Sequence, residues 1–214
     1  MPPGGRRRVG VLGVSCGAGP VGAVIRGRAS ARVHNGVMPQ FIAPHVRVQD
    51  SFLDAMKEFV EEGADERSLL LHEMEEYATT WHRPEVFASY VERLNAEPLE
   101  ETPRIEGWVP NTTLWYIEGD TFLGRLAIRH RLNPYLREVG GHIGYAVRPS
   151  ARRRGHATAM LAASLPVARG IGIESVLVTC DTDNTPSRKV IEAAGGVLDD
   201  VRGGKLRFWI RTDG

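Results

Sequence analysis

GHIGYAVRPSARRRGHATAM, residues 141–160, changes character twice within twenty positions. Residues 141–147 alternate and end on Tyr145, Ala146 and Val147, the pattern of a strand. Four arginines (Arg148, Arg152, Arg153, Arg154), a proline and Gly155 follow, and from His156 onward Ala157, Met160, Leu161 and Leu165 fall at helical spacing. A strand that runs through a turn into a helix start aims several unpaired N–H groups and the positive helix end at one point, where a pyrophosphate is readily held. Gly155 lets the backbone approach such a group, Ala157 keeps the first turn unobstructed, and Arg152 to Arg154 supply charge-assisted contacts. The plainer reading is a solvated basic helix start. Arginines at that end oppose the helix dipole, which favours an anion.

A basic strip for nucleic acid would need a basic field around it. The chain of 214 residues has a net charge of +1, which hides an asymmetry. Residues 1–49 hold seven arginines and no Asp or Glu, so the remainder is net acidic by about six charges, with the excess between Asp50 and Glu100. That excludes the usual nucleic-acid pattern. Two cysteines, Cys16 and Cys180, make no disulfide framework and suit a reducing cytosol.

The leader contains two decoys. Arg6 to Arg8 followed by VGVLGVSCGAGPVGAVI has the order of an export signal, but five glycines weaken its apolar stretch. Gly17-Ala18-Gly19-Pro20-Val21-Gly22 matches G-x-G-x-x-G, yet Pro20 and a Gly/Arg-rich run follow it, and no acidic residue comes before Asp50 to hold a ribose. Residues 1–43 are therefore expected to be a flexible leader, with one domain over 44–214.

Within that domain HVRVQDS reads as a short strand ending at a helix cap, and FLDAMKEFVEEG as an amphipathic helix. Residues 73–99 read as mostly helical, with Pro84 suited to a first turn. TTLWYIEGDTFLGRLAIRH reads as a hairpin turning at Glu118-Gly119-Asp120, ESVLVTC as a later strand, and VLDDV with LRFWI as a closing pair. No internal repeat or membrane-spanning run is present in the sequence.

Arg152-x-x-Gly155-x-Ala157 resembles the (Q/R)-x-x-G-x-(G/A) signature of the GNAT superfamily of acyl-CoA-dependent N-acetyltransferases. Asn184-x-x-Ser187-x-x-x-Ile191-Glu192-x-x-Gly195 follows the expected fifth strand at that family's spacing. The resemblance spans roughly residues 44–211, and the 140–161 stretch resembles a bacterial subgroup of acetyltransferases. It implies an α/β fold (α+β by some schemes) with a mixed, mostly antiparallel sheet of six to seven strands, splayed between strands 4 and 5 and flanked by helices.

The resemblance also implies a site for acetyl-CoA. Ala146 and Val147 would pair with the pantetheine arm, and the Val147 N–H would face the thioester carbonyl, a kind of donor whose loss costs about 3 kcal/mol in comparable sites. Arg152, Arg153, Arg154, Gly155, His156, Ala157 and Thr158 would hold the pyrophosphate. Asn184 would bind the arm from the other side, with Ser187 near the sulfur. Many members carry a tyrosine seven residues after the asparagine as acid to the leaving thiolate; here that position is Ile191. A serine with an aliphatic residue in that place resembles the branch that acetylates ribosomal-protein N-termini and related amines, making Ser187 the best-placed proton donor, against a hydroxyl that merely caps a helix.

An alkyl ammonium of pKa about 10 must lose a proton before attack, costing about 4 to 5 kcal/mol at neutral pH. His142, just before the thioester site, is the first candidate base, its alternative being a buried histidine satisfied by a backbone carbonyl. His130 and Glu138 are further candidates. Cys180 ends an apolar run and reads as core rather than as an acyl carrier. No Cys/His cluster has metal-ligand spacing, so no metal is expected.

The acidic residues Glu58, Glu61, Glu62, Asp65, Glu66, Glu73, Glu75 and Glu76 read either as a solvated face or as attraction for a cationic amine. Arg129, His130, Arg131, Tyr135 and Arg137 pull instead toward a carboxylate on the acceptor. The expectation is a cytoplasmic N-acetyltransferase working by direct attack in a ternary complex. Its acceptor would be a small-molecule or peptide amine, without nucleic-acid or membrane partners and with homodimerisation open. The second reading is a non-catalytic acyl-CoA-binding sensor.

Overall fold

A computed structural model describes residues 38–63, 73–74 and 79–213. The leader motifs of residues 1–37, together with Asp65, Glu66, Glu75 and Glu76, lie outside the described residues. The chain forms β1 (Gln40–Ile42), α1 (Gln49–Glu61), α2 (Pro84–Ala96), β2 (Asn111–Glu118) and β3 (Thr121–Arg129). Then come β4 (Ile143–Val147), α3 (His156–Gly170), β5 (Ser175–Asp181), α4 (Thr185–Ala193), β6 (Val197–Arg202) and β7 (Lys205–Arg211).

The seven strands lie in the order β1-β2-β3-β4-β5-β7-β6. Every neighbouring pair is antiparallel except β4 and β5, which run parallel and meet at the single pair Ile143 and Val178. Beyond that pair the two strands part. The expected mixed sheet, splayed between strands 4 and 5, is the one observed.

Two apolar layers hold the sheet. On one face α3 and α4 pack Met160, Leu161 and Ile191 against Leu126, Ile128, Val178 and Phe208. On the other, the α1 stripe of Phe52, Ala55, Met56 and Phe59 meets Trp81, Phe87, Tyr90, Trp115 and Phe122. Phe52 is central there, stacked on Trp115 at 5.1 Å between ring centres and edge-on to Trp81 and Phe122. Burying a ring of this size typically contributes about 3 to 5 kcal/mol.

Local chemistry sets the element ends. Pro84 opens α2 in its first turn, where its missing N–H costs nothing. Gly119, at φ +61°, takes the first central position of the two-residue turn between β2 and β3. Two expectations need correction. HVRVQDS is a 3-10 turn over Val46–Val48 running into α1, because the His45 side chain accepts the Arg47 N–H and caps the turn. The domain also starts earlier than residue 44, since β1 pairs Gln40 with Ile117 and Ile42 with Trp115. No helix among the described residues is long and apolar enough to cross a membrane.

Candidate active site

Gly141 lies at the closed end of the opening between β4 and β5. It adopts φ +64°, and a β-carbon there would come within 2.5 Å of the Leu177 carbonyl oxygen, so only glycine permits this approach. His142 next door clasps β5: its N–H donates to the Leu177 carbonyl at 2.7 Å, and its Nδ1 accepts the Leu177 N–H at 2.8 Å. On the far side of β4, the Arg148 N–H reaches Leu123 and the Arg129 N–H reaches His142, each at 2.8 Å, with Val147 opposite Gly124. In an antiparallel ladder such bonds fall on alternate residues. Gly144 and Ala146 therefore turn their backbone toward β3, while Tyr145 and Val147 turn theirs toward the opening. Of the two residues expected to pair with the arm, Val147 turns its backbone toward the opening and Ala146 toward β3, and Tyr145 shares the side of Val147. The Val147 carbonyl accepts Arg152 Nε at 3.1 Å, and by the same alternation its N–H points away from β3.

The turn after β4 has the form of an anion seat. Gly155 caps α3 at φ +82°, and among the described residues no neighbouring atom lies within 4 Å of where a β-carbon would stand and no side chain caps the first helical turn. The N–H groups of His156, Ala157 and Thr158 are thus left for a ligand. Arg153 sits at φ +65°, the one non-glycine residue at positive φ among those described, a strained conformation typical of functional loops. Arg153 and Arg154 are exposed and without partners among the described residues.

Arg152, expected among the pyrophosphate ligands, has protein partners. Its guanidinium donates to both carboxylate oxygens of Glu62, at 2.7 Å for Nη2, and to Val147, so it braces the turn against α1 instead of facing the seat. Glu58 does the same one helical turn earlier. It accepts Arg148 Nε at 2.7 Å, the Ser150 N–H at 2.9 Å and the Ser150 hydroxyl at 3.0 Å. Burial pushes its carboxyl up, but the bonds from Arg148 and Ser150 outweigh that and hold it below the ordinary carboxylate range. Glu58 and Glu62, read from sequence either as part of a solvated face or as attraction for an amine, are tied to the loop after β4.

Across the opening, Asn184 caps α4 with Oδ1 accepting the Ser187 N–H at 3.0 Å, which leaves its amide NH2 as a donor. The Ser187 hydroxyl lies 2.7 Å from the Tyr145 hydroxyl. Sequence reasoning did not single out Tyr145. Its place one alternation before Val147 was the available signal. Burial pushes its phenol up to about 12, against the bond with Ser187. Ile191, where many relatives carry tyrosine, is wholly buried in the core. Cys180 is 5% exposed and burial raises its thiol, so it belongs to the core as expected.

The candidate bases fare unequally. Nδ1 of His142 accepts an N–H, where the plainer reading expected a backbone carbonyl, so its proton is on Nε2 and its one lone pair is engaged. Burial, with the charges of Arg137 and Arg129, lowers its pKa to about 4. An incoming proton has no place to sit, which argues against the base role. His130 bonds Thr112 at 2.9 Å, two residues beyond the Ile128 and Ile143 pair and about 20 Å along the strand from Val147. Glu138 is ion-paired with Arg202 at 3.2 Å on an exposed turn.

On the α1 and α2 side, Arg125 stands opposite Ala146 in register and is 3% exposed. It is ion-paired with Glu73, which also accepts the Tyr90 hydroxyl at 2.8 Å. No group of His, Cys, Asp and Glu among the described residues could hold a metal ion.

Fold and site together define an enzyme class that grips a nucleotide-bearing thioester beside a splayed sheet. The chain belongs to the GNAT acetyltransferases: the Acetyltransferase (GNAT) domain family matches residues 67–197. Its fold is similar to that of Mycobacterium smegmatis RimJ in complex with CoA-disulfide, at 19% identity over 82% of each chain and a TM-score of 0.58. It is similar as well to the microcin C7 self-immunity acetyltransferase MccE in complex with acetyl-CoA and AMP, at 10% identity over 81% of this chain and 92% of that one, TM-score 0.55. The RimL ribosomal L7/L12 alpha-N-protein acetyltransferase in complex with coenzyme A shares 14% identity over 80% and 92%, TM-score 0.52. A search of curated protein sequences finds no match. The turn, its unfilled space and the free N–H groups fit acetyl-CoA as cosubstrate.

Proposed function

We propose that the protein moves the acetyl group of acetyl-CoA to a primary amine by direct attack in a ternary complex. The observation that carries this reading is the β4 register, which by alternation turns the Val147 backbone away from β3, with the Val147 carbonyl held by Arg152. A rigid donor aimed where carbonyl charge develops stabilises the transition state without reorganisation. The turn of residues 153–158 holds the pyrophosphate through its N–H groups and through Arg153 and Arg154, and the Asn184 amide steadies the arm. Ser187 offers a hydrogen bond to the departing sulfur. The amine's proton leaves through water in the opening, since His142 has no free lone pair. RimL is a ribosomal L7/L12 alpha-N-protein acetyltransferase, and an amine on a peptide or small molecule is the acceptor class proposed here, in the cytoplasm.

The seat is tested by Gly155→Val. A β-branched residue cannot hold φ +82° without strain, so the turn should shift and acetyl-CoA affinity should weaken by at least about tenfold in calorimetry, with the melting temperature nearly kept. Unchanged affinity would remove the seat. CoA thiol release across a panel of primary amines separates the enzyme from a non-catalytic sensor: the sensor reading requires tight acetyl-CoA binding and no release with any of them.

A further inference from the structure

The geometry points to Tyr145 as the residue that positions Ser187 for the departing thiolate, so that the phenol absent from α4 at Ile191 acts from β4 instead. The inference rests on the acetyl-transfer reading and adds a residue to it. Ser187 has one hydroxyl proton, and a thiolate can only accept. When that proton points at the sulfur, the Ser187 oxygen can only accept from Tyr145, 2.7 Å away, and the phenol must be the donor. Tyr145 stays protonated to about 12, so the donor persists throughout the neutral range. The Ser187 backbone is fixed by Asn184 Oδ1 at 3.0 Å, which leaves the hydroxyl rotor as the freedom that Tyr145 removes.

Position 191 is closed to a phenol. Ile191 is fully buried and packs within the cluster of Met160, Leu161, Val178 and Phe208, where a tyrosine hydroxyl would have no water. Tyr145 is partly exposed, and its strand borders the opening directly. In the step itself the amine nitrogen forms the C–N bond, the C–S bond breaks, and its electron pair stays on sulfur as thiolate. Ser187 donates to that anion while Tyr145 donates to Ser187, a chain in which each bond strengthens the next. Neither hydroxyl loses its proton. The proton shed by the amine passes to water, and the thiolate takes one from water on release.

The test uses the full chain with acetyl-CoA, CoA and an amine found by screening. Tyr145→Phe should lower kcat about tenfold and leave the KM for acetyl-CoA within about twofold, the loss of one hydrogen bond in a chain that ends on the thiolate. Ser187→Ala should match it, the double variant should be no slower than Ser187→Ala, and Ser187→Thr should restore most of the rate. A second readout needs no amine: the thiolate absorbance of bound CoA against pH. Bound CoA should titrate below the free thiol value of about 8.5, and both Tyr145→Phe and Ser187→Ala should raise that midpoint by about one unit. Multiplying rate losses in the double variant, or a bound-thiol midpoint that neither change moves, would overturn the inference. A shifted midpoint with no turnover on any amine would instead sink the acetyl-transfer reading and leave the pair intact. Ser187→Ala keeps the ring of Tyr145 in place, so an unmoved midpoint there overturns the inference even where Tyr145→Phe folds poorly.

Discussion

His142 Nδ1 accepts the Leu177 N–H inside the sheet, so protonating the ring breaks that bond and places a cation near Arg129 and Arg137. In the unfolded chain the ring titrates near 6.5; in the fold it titrates near 4, burial being the main cause. Above 6.5 neither state binds the proton. Between the two values the unfolded chain binds a proton that the folded chain refuses, so stability must fall as pH drops from about 6.5 to about 4, by up to about 3 kcal/mol from this group. Urea unfolding across that window should show the slope, and His142→Ala should flatten it while lowering the melting temperature at neutral pH. The pH dependence of kcat in His142→Ala should keep its shape. Loss of an acidic limb there would return the base role to His142.

At the scale of elements, α1 braces the turn that receives the cofactor through Glu58 and Glu62, and this gives Glu58→Gln a definite outcome. The amide keeps the size but loses the charge that accepts from Arg148 and two Ser150 donors. Stability should fall by about 1 to 2 kcal/mol in thermal unfolding, with a rise of several-fold in the KM for acetyl-CoA. The wild-type advantage should fade as pH falls through the depressed Glu58 pKa, since the carboxylate form is the one the fold favours. A variant with unchanged KM would mean that the turn holds its shape without α1.

The strand–turn–helix of residues 141–160 was legible because its signals are local: alternation, Gly155 at a left-handed cap, helical spacing from Ala157. The partners of Arg152 were not, because Glu62 reaches it only through the way α1 crosses the loop, 90 positions away in the chain. The Tyr145–Ser187 and His142–Leu177 bonds were hidden for the same reason. Which face each side chain occupies follows from the register of β4 against β3 and β5, and that register is a tertiary fact. At residues 46–48 one V-R-V alternation is too short to tell a strand from a 3-10 turn.

The whole molecule is tied together at its edge by a three-residue strand. β1 lies on the free edge of β2, and Phe41 meets Tyr116 edge-on at 5.3 Å between ring centres. Tyr116 in turn meets the His156 ring at 5.8 Å, so the outermost strand supports the first turn of α3 two contacts away. A chain beginning at Met38 retains β1 and should melt and bind acetyl-CoA like the full chain. A chain beginning at Pro44 loses three strand pairings and the cover over Tyr116. It should be less stable by about 2 kcal/mol, and it should associate more readily through the uncovered β2 edge. Its acetyl-CoA affinity should fall as well, because the ring beside the seat loses its backing. Melting curves, sedimentation and calorimetry on the two truncations separate the outcomes. Equal melting temperatures would show β1 to be an ornament of the edge, while a drop already present in the Met38 chain would mean that residues 1–37 contribute to the folded domain.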